Sequence, residues 1–293
     1  MAETTASRPS RPSAVRGALG RHVLAYTAVG AIVVVFLIPY LWMASSGTKS
    51  QAGVFSDLNP LSWKAFLPIN GNLDNYLKLL REGNVSRSLL NSLIVGVIQV
   101  AGSLVLCTLS AYALTRLKFR GRRTIFAFIL ATFMLPAEAI VVPVYRVISG
   151  LNLQDTLFGI AAPWLASAFG LFLIMPAFEE IPKELDEAAR LDGAGNLRIF
   201  WSIILPNVKT ALATLCLIVF LFSWNAFLWP LVAVQSTSKQ VVQVAISTSV
   251  APGELPNWGL TFAGATIATI PLILLFLFLQ RYFVRGLAST GLK

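Results

Sequence analysis

The sequence contains few charged residues for its length. Lysine, arginine, aspartate and glutamate make up 12% of its 293 residues, whereas a soluble domain carries about 25%. Hydrophobic residues account for 56%, and the mean hydropathy is +0.73. So little polar surface excludes an ordinary water-soluble enzyme, and the apolar content excludes a disordered chain. The composition therefore predicts an integral membrane protein.

Cysteine and histidine are also scarce, which limits the chemistry available to this chain. Cys107 and Cys216 lie in separate apolar runs without a metal-ligand spacing, and His22 is the only histidine. We expect both cysteines to act as small hydrophobic side chains, buried or facing lipid. The sequence has no Walker A phosphate-binding loop either. We therefore predict no metal site, no catalytic residue and no cofactor bound by this chain.

The positive charge is concentrated in short clusters between apolar runs. The formal net charge is +10, and residues 116–123 alone carry five basic side chains. In a soluble protein this charge would indicate nucleic-acid binding. Basic loops between apolar segments are instead typical of the cytoplasmic loops of membrane proteins. We expect no nucleic-acid partner, and a lipid bilayer around the chain.

Six apolar runs approach or exceed the 20 or so residues that a membrane-crossing helix needs. They cover residues 23–44, 89–114, 125–148, 157–178, 208–232 and 260–279. The alternating segments of about 10 residues that a membrane barrel requires are absent. The sequence thus predicts an all-α integral membrane fold with six transmembrane helices in one domain, residues 22–293. A disordered cytoplasmic tail, residues 1–21, precedes it.

The distribution of lysine and arginine orients these helices. Basic residues are frequent in the tail 1–21 and in the loops 116–123 and 179–209, but absent from residues 149–155. The loop 45–87 also carries basic residues, but long loops are often translocated regardless of their charge. We predict that this loop is external and that both termini are cytoplasmic. The first apolar run is too long for a cleaved signal peptide.

The loop at residues 179–206, between the fourth and fifth predicted helices, begins with the pattern of a short amphipathic helix. Pro182 suits the first turn of a helix, and the acidic residues after it complement the helix dipole. Apolar side chains at helical spacing are predicted to share one face: Ile181, Leu185, Ala188 and Ala189. Small side chains on such a face would let a partner approach the backbone closely.

The same loop then predicts a turn and a second helix. Gly193 can end the first helix in a left-handed conformation. Asn196 can cap a second helix, residues 197–205, which Pro206 closes. The helical pattern alone leaves two interpretations open. The loop either docks onto a partner or is a solvated connection between two membrane-spanning helices.

The spacing within this loop is more specific than its helical pattern. The triplet Glu187, Ala188 and Ala189 is followed, after three residues, by Gly193. After nine more residues the apolar end of the pattern begins, with Ile203, Leu205 and Pro206. This arrangement resembles the EAA loop of the permease subunits of ABC importers. Segments 223–230 and 281–287 look like those of the carbohydrate-uptake permeases of the maltose type. The resemblance covers residues 22–293.

This resemblance implies a mechanism and a set of partners. Such permeases pair with a second permease, and the EAA helix docks onto a dimer of separate ATPase subunits that bind ATP and Mg²⁺. Closure of the ATPase dimer switches the permeases between inward-open and outward-open states, and an extracellular solute-binding protein delivers the solute. A prokaryotic cytoplasmic membrane is the implied location. The implied ATPase-coupling residues are Leu185, Glu187, Ala188, Ala189, Asp192 and Gly193.

Polar and aromatic residues within the predicted helices are candidates for the solute path. These are Gln99, Glu138, Trp224, Asn225 and Trp229. An intramembrane carboxylate such as Glu138 commonly marks a functional site; alternatively it lies near the outer end of its helix, where water reaches it. Buried amides bond solute hydroxyls or tie helices together, and the second role is favoured for Asn91 and Gln99. Tryptophans stack on sugar rings or anchor helix ends at the interface.

The absence of central cationic residues bears on the solute. No lysine or arginine lies in the middle of a predicted helix, which favours a neutral, polyhydroxylated solute over an anionic one. We therefore predict import of a carbohydrate, with glycerol phosphate or a polyamine as the alternative. A self-contained secondary transporter would show internal repeats or more intramembrane ionisable residues. An intramembrane enzyme would need a catalytic constellation that the sequence lacks.

Overall fold

The computed structural model describes residues 13–58, 60, 62–68, 71–81, 85–248 and 257–290, with side chains from residue 24 to residue 281. No β-strand occurs within these ranges, and every regular element there is helical. The first six α-helices are α1 Ser13–Gly47, α2 Gln51–Ser56, α3 Asp74–Arg81, α4 Val85–Arg116, α5 Arg122–Phe133 and α6 Val141–Gly150. Short 3-10 helices cover Trp63–Phe66 and Ala137–Ile140.

The second half of the chain is built from shorter helices, with one exception at its end. They are α7 Leu157–Ala161, α8 Ala168–Glu179, α9 Lys183–Leu191, α10 Asn196–Ile199, α11 Leu205–Asn207, α12 Lys209–Asn225, α13 Leu228–Ala233, α14 Val242–Thr248 and α15 Trp258–Thr290. Two further 3-10 helices cover Ala162–Trp164 and Thr237–Lys239, and a π-turn, Phe200–Ile204, joins α10 to α11. The predicted all-α class is confirmed.

Three helices are long and apolar enough to cross a membrane as single elements. They are residues 24–47 of α1, the whole of α4, and residues 258–281 of α15. Three bent pairs of helices pass the same test together, so the described residues hold three to six candidate membrane spans. Six membrane crossings remain a prediction.

The third and fourth predicted helices are each broken into two helical segments. The chain bends by 97° between α5 and the helical residues 137–150, which end with α6. It bends by 51° between residues 157–164, which begin with α7, and α8. Pro136 stands at the first break with an extended ψ of 135°. Proline lacks an N–H and disfavours a helical conformation of the residue before it, so the helix ends before this position. At the second break the Ser167 hydroxyl accepts a hydrogen bond from the Gly170 amide at 3.2 Å and starts α8.

The fifth predicted helix, residues 208–232, is also interrupted. α12 ends at Asn225, Ala226 is extended with ψ 128°, and α13 begins two residues later. The residues that follow form a segment, 226–248, that packs back on the bundle. Its buried side chains Trp229, Val241 and Val244 share a core with Val95 and Ile160.

The N-terminal tail differs in part from the prediction of a disordered segment at 1–21. α1 begins at Ser13, so residues 13–21 are helical, and residues 1–12 lie outside the described residues. Alanine, leucine and arginine after Pro12 favour a helix. Farther along α1, none of the residues in its most apolar 18-residue window is buried. This stretch therefore presents its apolar side chains outward.

α4 lies at the centre of the fold and packs against α7, α8 and α12, whereas α1 runs along α15. The Trp42 and Phe262 rings meet edge-on, with centroids 4.9 Å apart, between the latter two helices. One buried cluster joins α4, α8, α10 and α12 through Ala111, Phe178 and Ile199. This cluster fixes the base from which α9 projects.

Candidate functional site

α9 is the first helix of the loop 179–206, close to where the sequence pattern predicted it. Pro182 precedes the helix with ψ 134° rather than lying in its first turn, and Glu184 and Asp186 are the acidic residues of that turn. Gly193 has φ +80°, so the predicted left-handed conformation is confirmed. A residue with a Cβ is strained in this conformation, whereas glycine is not.

The second helix of the loop differs from the prediction at both ends. It begins at Asn196 itself, after Gly195, so the Asn196 side chain does not cap it. It then runs through the π-turn into α11, with Pro206 at the start of that helix rather than beyond its end. The φ of proline is compatible with a helix, so Pro206 alone does not stop it. The break falls at Val208, where the chain bends by 80° into α12.

The surface of α9 is divided between core and solvent. Ile181 precedes the helix and is buried, and Ala189 packs at the edge of the core, so the four predicted apolar residues do not form one exposed face. Leu185 and Ala188 point outward instead. The other exposed residues assigned to ATPase coupling are Glu187, Asp192 and Gly193.

Two further leucines enlarge the exposed apolar surface beside α9. Leu191 is 91% exposed and Leu197 is 71% exposed. Large exposed leucines on one short loop are typical of a docking surface for another protein. The small residues between them, Gly193, Ala194 and Gly195, leave the backbone accessible. We call Leu185, Ala188, Leu191, Gly193 and Leu197 the loop surface.

An ion pair that the sequence analysis missed fixes α9 to the membrane bundle. Asp186 lies on the inner side of the helix, and its Oδ2 is 3.5 Å from Arg116 Nη1, with side chains 4% and 2% exposed. Arg116 Nη2 also donates to the carbonyls of Phe178 at 2.5 Å and Ile181 at 2.6 Å. The sequence placed Arg116 in an exposed basic loop, because no local spacing links residues so far apart.

The two tryptophans among the solute-path candidates are buried. Trp224 is 2% exposed and its Nε1 donates to the Ala268 carbonyl at 3.0 Å; Trp229 is 5% exposed and its Nε1 donates to the Ile160 carbonyl at 3.0 Å. In this conformation neither ring presents a face to a solute, and neither lies at an exposed helix end. Their contacts tie α12 to α15 and α13 to α7.

The three remaining solute-path candidates differ in exposure. Gln99 is buried in α4, as expected for an amide between helices. Asn225 is exposed at the end of α12, and its Nδ2 donates to the Leu221 carbonyl at 2.9 Å. Glu138 is exposed in the 3-10 turn at the 97° bend, not deep in a continuous helix. Of the five candidates, Glu138 and Asn225 are therefore the two with exposed side chains.

Two polar residues near the start of α4 hold the segment 226–248 in place. Asn91 Nδ2 donates to the carbonyls of Ser238 at 3.1 Å and Gln240 at 2.9 Å, so this amide ties elements together as predicted. The Ser92 hydroxyl accepts from the Val242 amide at 2.8 Å. Both contacts join α4 to the segment through backbone groups.

Asp155 holds the same segment from the loop between α6 and α7. Its Oδ1 accepts from the amides of Gln235 at 3.1 Å and Ser236 at 2.9 Å, and its Oδ2 accepts from the Ser236 hydroxyl. The hydrogen bond from the Ser236 hydroxyl, followed by the one from its amide, holds the pKa of Asp155 below its usual value. The sequence analysis did not single out Asp155, since its partners are distant in sequence.

Comparison with known sequences finds a matching protein family and several relatives. Residues 103–289, more than half of the chain, match the family described as "Binding-protein-dependent transport system inner membrane component". The sn-glycerol-3-phosphate transport system permease protein UgpE of Yersinia pestis is 40% identical over 206 residues, covering 69% of this chain and 72% of the relative. The protein of the same name from Brucella abortus is 35% identical over 271 residues, covering 89% and 93%.

Solved structures show the same architecture. A bacterial ABC transporter involved in the import of the acidic polysaccharide alginate contains a chain with TM-score 0.75 and 27% identity, covering 95% of this chain and 100% of that chain. A second alginate ABC transporter, solved with a pentasaccharide-bound periplasmic protein, shares the fold at TM-score 0.58 and 15% identity, covering 90% and 94%. The predicted resemblance is confirmed, and the chain belongs to the family of binding-protein-dependent inner membrane components, the multi-pass permeases of ABC importers.

Proposed function

We propose that this chain is one of two permeases in an ATP-driven importer and that its loop surface binds a separate ATPase subunit. The exposed leucines around Gly193 carry this proposal, because they offer an apolar surface on a loop with EAA spacing. ATP and Mg²⁺ belong to the ATPase dimer, since the sequence has no phosphate-binding loop. An extracellular solute-binding protein delivers the solute, in keeping with the family description.

The proposed orientation follows from the basic loops. Residues 116–123 and 179–206 and both termini face the cytoplasm, and the loop 45–87 faces outward. The ion pair between Arg116 and Asp186 supports a shared side of the membrane for residues 116–123 and 179–206, because it brings these two loops together. Residues 22–293 then form one permease domain with six crossings, of which the third and the fourth are bent.

A pair of glycines provides a matched test of the loop surface. Gly193 and Gly121 have φ +80° and +86°, and an added Cβ would meet no atom within 4 Å at either position. Gly193→Asp and Gly121→Asp therefore add the same charge and a similar local backbone strain. Only Gly193→Asp lies on the loop surface. We expect Gly193→Asp and Glu187→Lys to insert normally and lose both ATPase co-purification and uptake, while Gly121→Asp retains both. Wild-type co-purification of Gly193→Asp would reject the proposal.

The proposed solute is rich in hydroxyl groups, and carbohydrate is the first candidate. The exposed Asn225 amide at the end of α12 supports it, because an amide both donates to and accepts from hydroxyls. Glycerol phosphate is the second candidate, favoured by the names of the Yersinia and Brucella relatives. Uptake assays with neutral oligosaccharides and with glycerol phosphate separate the two. Asn225→Ala is expected to lower uptake of the preferred solute without changing ATPase binding.

A further inference from the structure

The Arg116 side chain lies where three elements meet. It is the last residue of α4, it bonds the carbonyl of Phe178 in the last turn of α8, and it bonds the carbonyl of Ile181 in the link to α9. Its charge partner, Asp186, belongs to α9 itself. The buried Arg116 guanidinium thus contacts the chain on both sides of residues 180–182, the link between α8 and α9.

This ion pair is incompletely hydrogen-bonded. The 3.5 Å separation exceeds the 2.7–2.9 Å of a charge-assisted hydrogen bond. Arg116 Nε, Arg116 Nη1 and Asp186 Oδ1 are buried without a hydrogen-bond partner. Burying two charges is costly, and well-packed apolar side chains of similar volume commonly serve stability as well or better. A contribution to stability therefore does not explain why a charged pair occupies this position. The separation of 3.5 Å also allows the two charged groups to move closer together.

α4 continues from this pair as one uninterrupted helix. It has 32 residues and contains no proline, and the distance along it from Arg116 to Asn91 is about 37 Å. At that other end, Asn91 and Ser92 bind the segment 226–248 through backbone groups. A displacement of α9 that reaches Arg116 would therefore reach this segment through a rigid element.

We propose that Arg116 and Asp186 form the joint through which movement of α9 is transmitted to α4 and α8. The inference rests on the proposed binding of an ATPase to the loop surface. Without the joint, α9 still binds the ATPase, because neither side chain belongs to that surface, but its movement is absorbed in the link at residues 180–182. Arg116 and Asp186 are thus positioning residues, and their loss uncouples ATP hydrolysis from transport.

The test measures solute transported per ATP hydrolysed by the complete complex in proteoliposomes, together with ATPase co-purification. Asp186→Asn and Arg116→Gln are expected to co-purify with the ATPase but to transport at least about fivefold less per ATP. Glu184→Gln is the matched control, because it removes an exposed carboxylate from the same helix. It is expected to keep the wild-type ratio.

A double variant separates coupling from folding. Arg116→Met with Asp186→Leu removes both buried charges, so it is expected to restore any stability that the single variants lose while leaving the ratio low. A wild-type ratio in the double variant, or in either single variant, would overturn the joint. If the wild-type complex itself fails to bind the ATPase or to transport, the proposed function fails instead. The two failures are therefore distinguishable.

Discussion

The Trp229 indole shows how a residue that resembles a binding residue can serve the core. Its ring packs with Val95 and Val244, and its N–H is bonded to the Ile160 carbonyl. A buried tryptophan needs such a partner for its N–H. The sequence could not separate this role from stacking or interfacial anchoring, because all three place tryptophan near the end of an apolar run.

The contribution of Trp229 to stability is measurable with two substitutions. Trp229→Phe keeps most of the packing but leaves the Ile160 carbonyl without this donor, so we expect a loss of about 1 kcal/mol. Trp229→Ala also leaves a cavity, and a loss of about 3–5 kcal/mol is expected. Trp201, which is 65% exposed, provides the control: Trp201→Phe should unfold near the wild-type temperature in detergent. Equal unfolding temperatures for Trp229→Phe and Trp201→Phe would contradict the stabilising role of the hydrogen bond to Ile160, and a wild-type temperature for Trp229→Ala would contradict the packing role.

Asp155 makes the stability depend on pH in a defined direction. Its pKa is lowered in the folded state by its hydrogen bonds to Ser236, so its contribution is present above the unfolded pKa of about 3.9. The contribution is lost as the pH falls through the lower, folded-state pKa. Asp155→Asn should therefore unfold at a lower temperature than wild type at pH 7, with the difference shrinking below about pH 4. A difference that is constant with pH would show that the carboxylate charge is not involved.

Helix breaks illustrate what the sequence could and could not predict about the elements. Pro136 stands at the 97° bend, yet Pro39 and Pro271 lie within the continuous helices α1 and α15. All three occur in apolar runs, so local sequence does not distinguish them. Proline removes one hydrogen bond from the interior of a helix, and the packing of the neighbouring helices decides whether the chain bends there. The helical class was therefore predictable, whereas the positions and angles of the helix breaks were not.

α9 was predictable for the opposite reason, since its start, its acidic first turn and its left-handed end are local features. The side of α9 that faces the core was not, because it depends on Arg116 far away in sequence. Residues with highly exposed side chains are suitable positions for testing the orientation of this loop by chemical labelling. Leu191 is 91% exposed in the loop surface, and Trp63 is 63% exposed in the loop 45–87.

Single cysteines at these two positions test the proposed orientation. In a background without Cys107 and Cys216, Trp63→Cys should react with an impermeant thiol reagent added outside intact cells. Leu191→Cys should react only after the membrane is opened, because the proposed orientation places its loop in the cytoplasm. Labelling of Leu191→Cys from outside would reverse the topology and remove the loop surface from reach of an ATPase.

The molecule as a whole leaves much apolar surface uncovered. Among the described residues, none in α5 and none in the apolar window of α1 is buried. In a water-soluble protein such surfaces would cause aggregation, whereas a membrane supplies lipid to cover them, and the second permease proposed above would cover a part. Composition predicted this class directly, but the division of the surface between lipid and protein depends on a partner that the sequence of one chain does not contain.

ATP-driven uptake by the reconstituted complex tests the central claim most directly. The complex of this chain, a second permease and the ATPase dimer is placed in proteoliposomes with the solute-binding protein outside and ATP inside. We predict that solute accumulates only when ATP and the binding protein are both present, and that Gly193→Asp abolishes accumulation while Gly121→Asp preserves it. Accumulation without ATP, or unchanged accumulation by Gly193→Asp, would contradict the assignment of the loop surface to ATPase coupling.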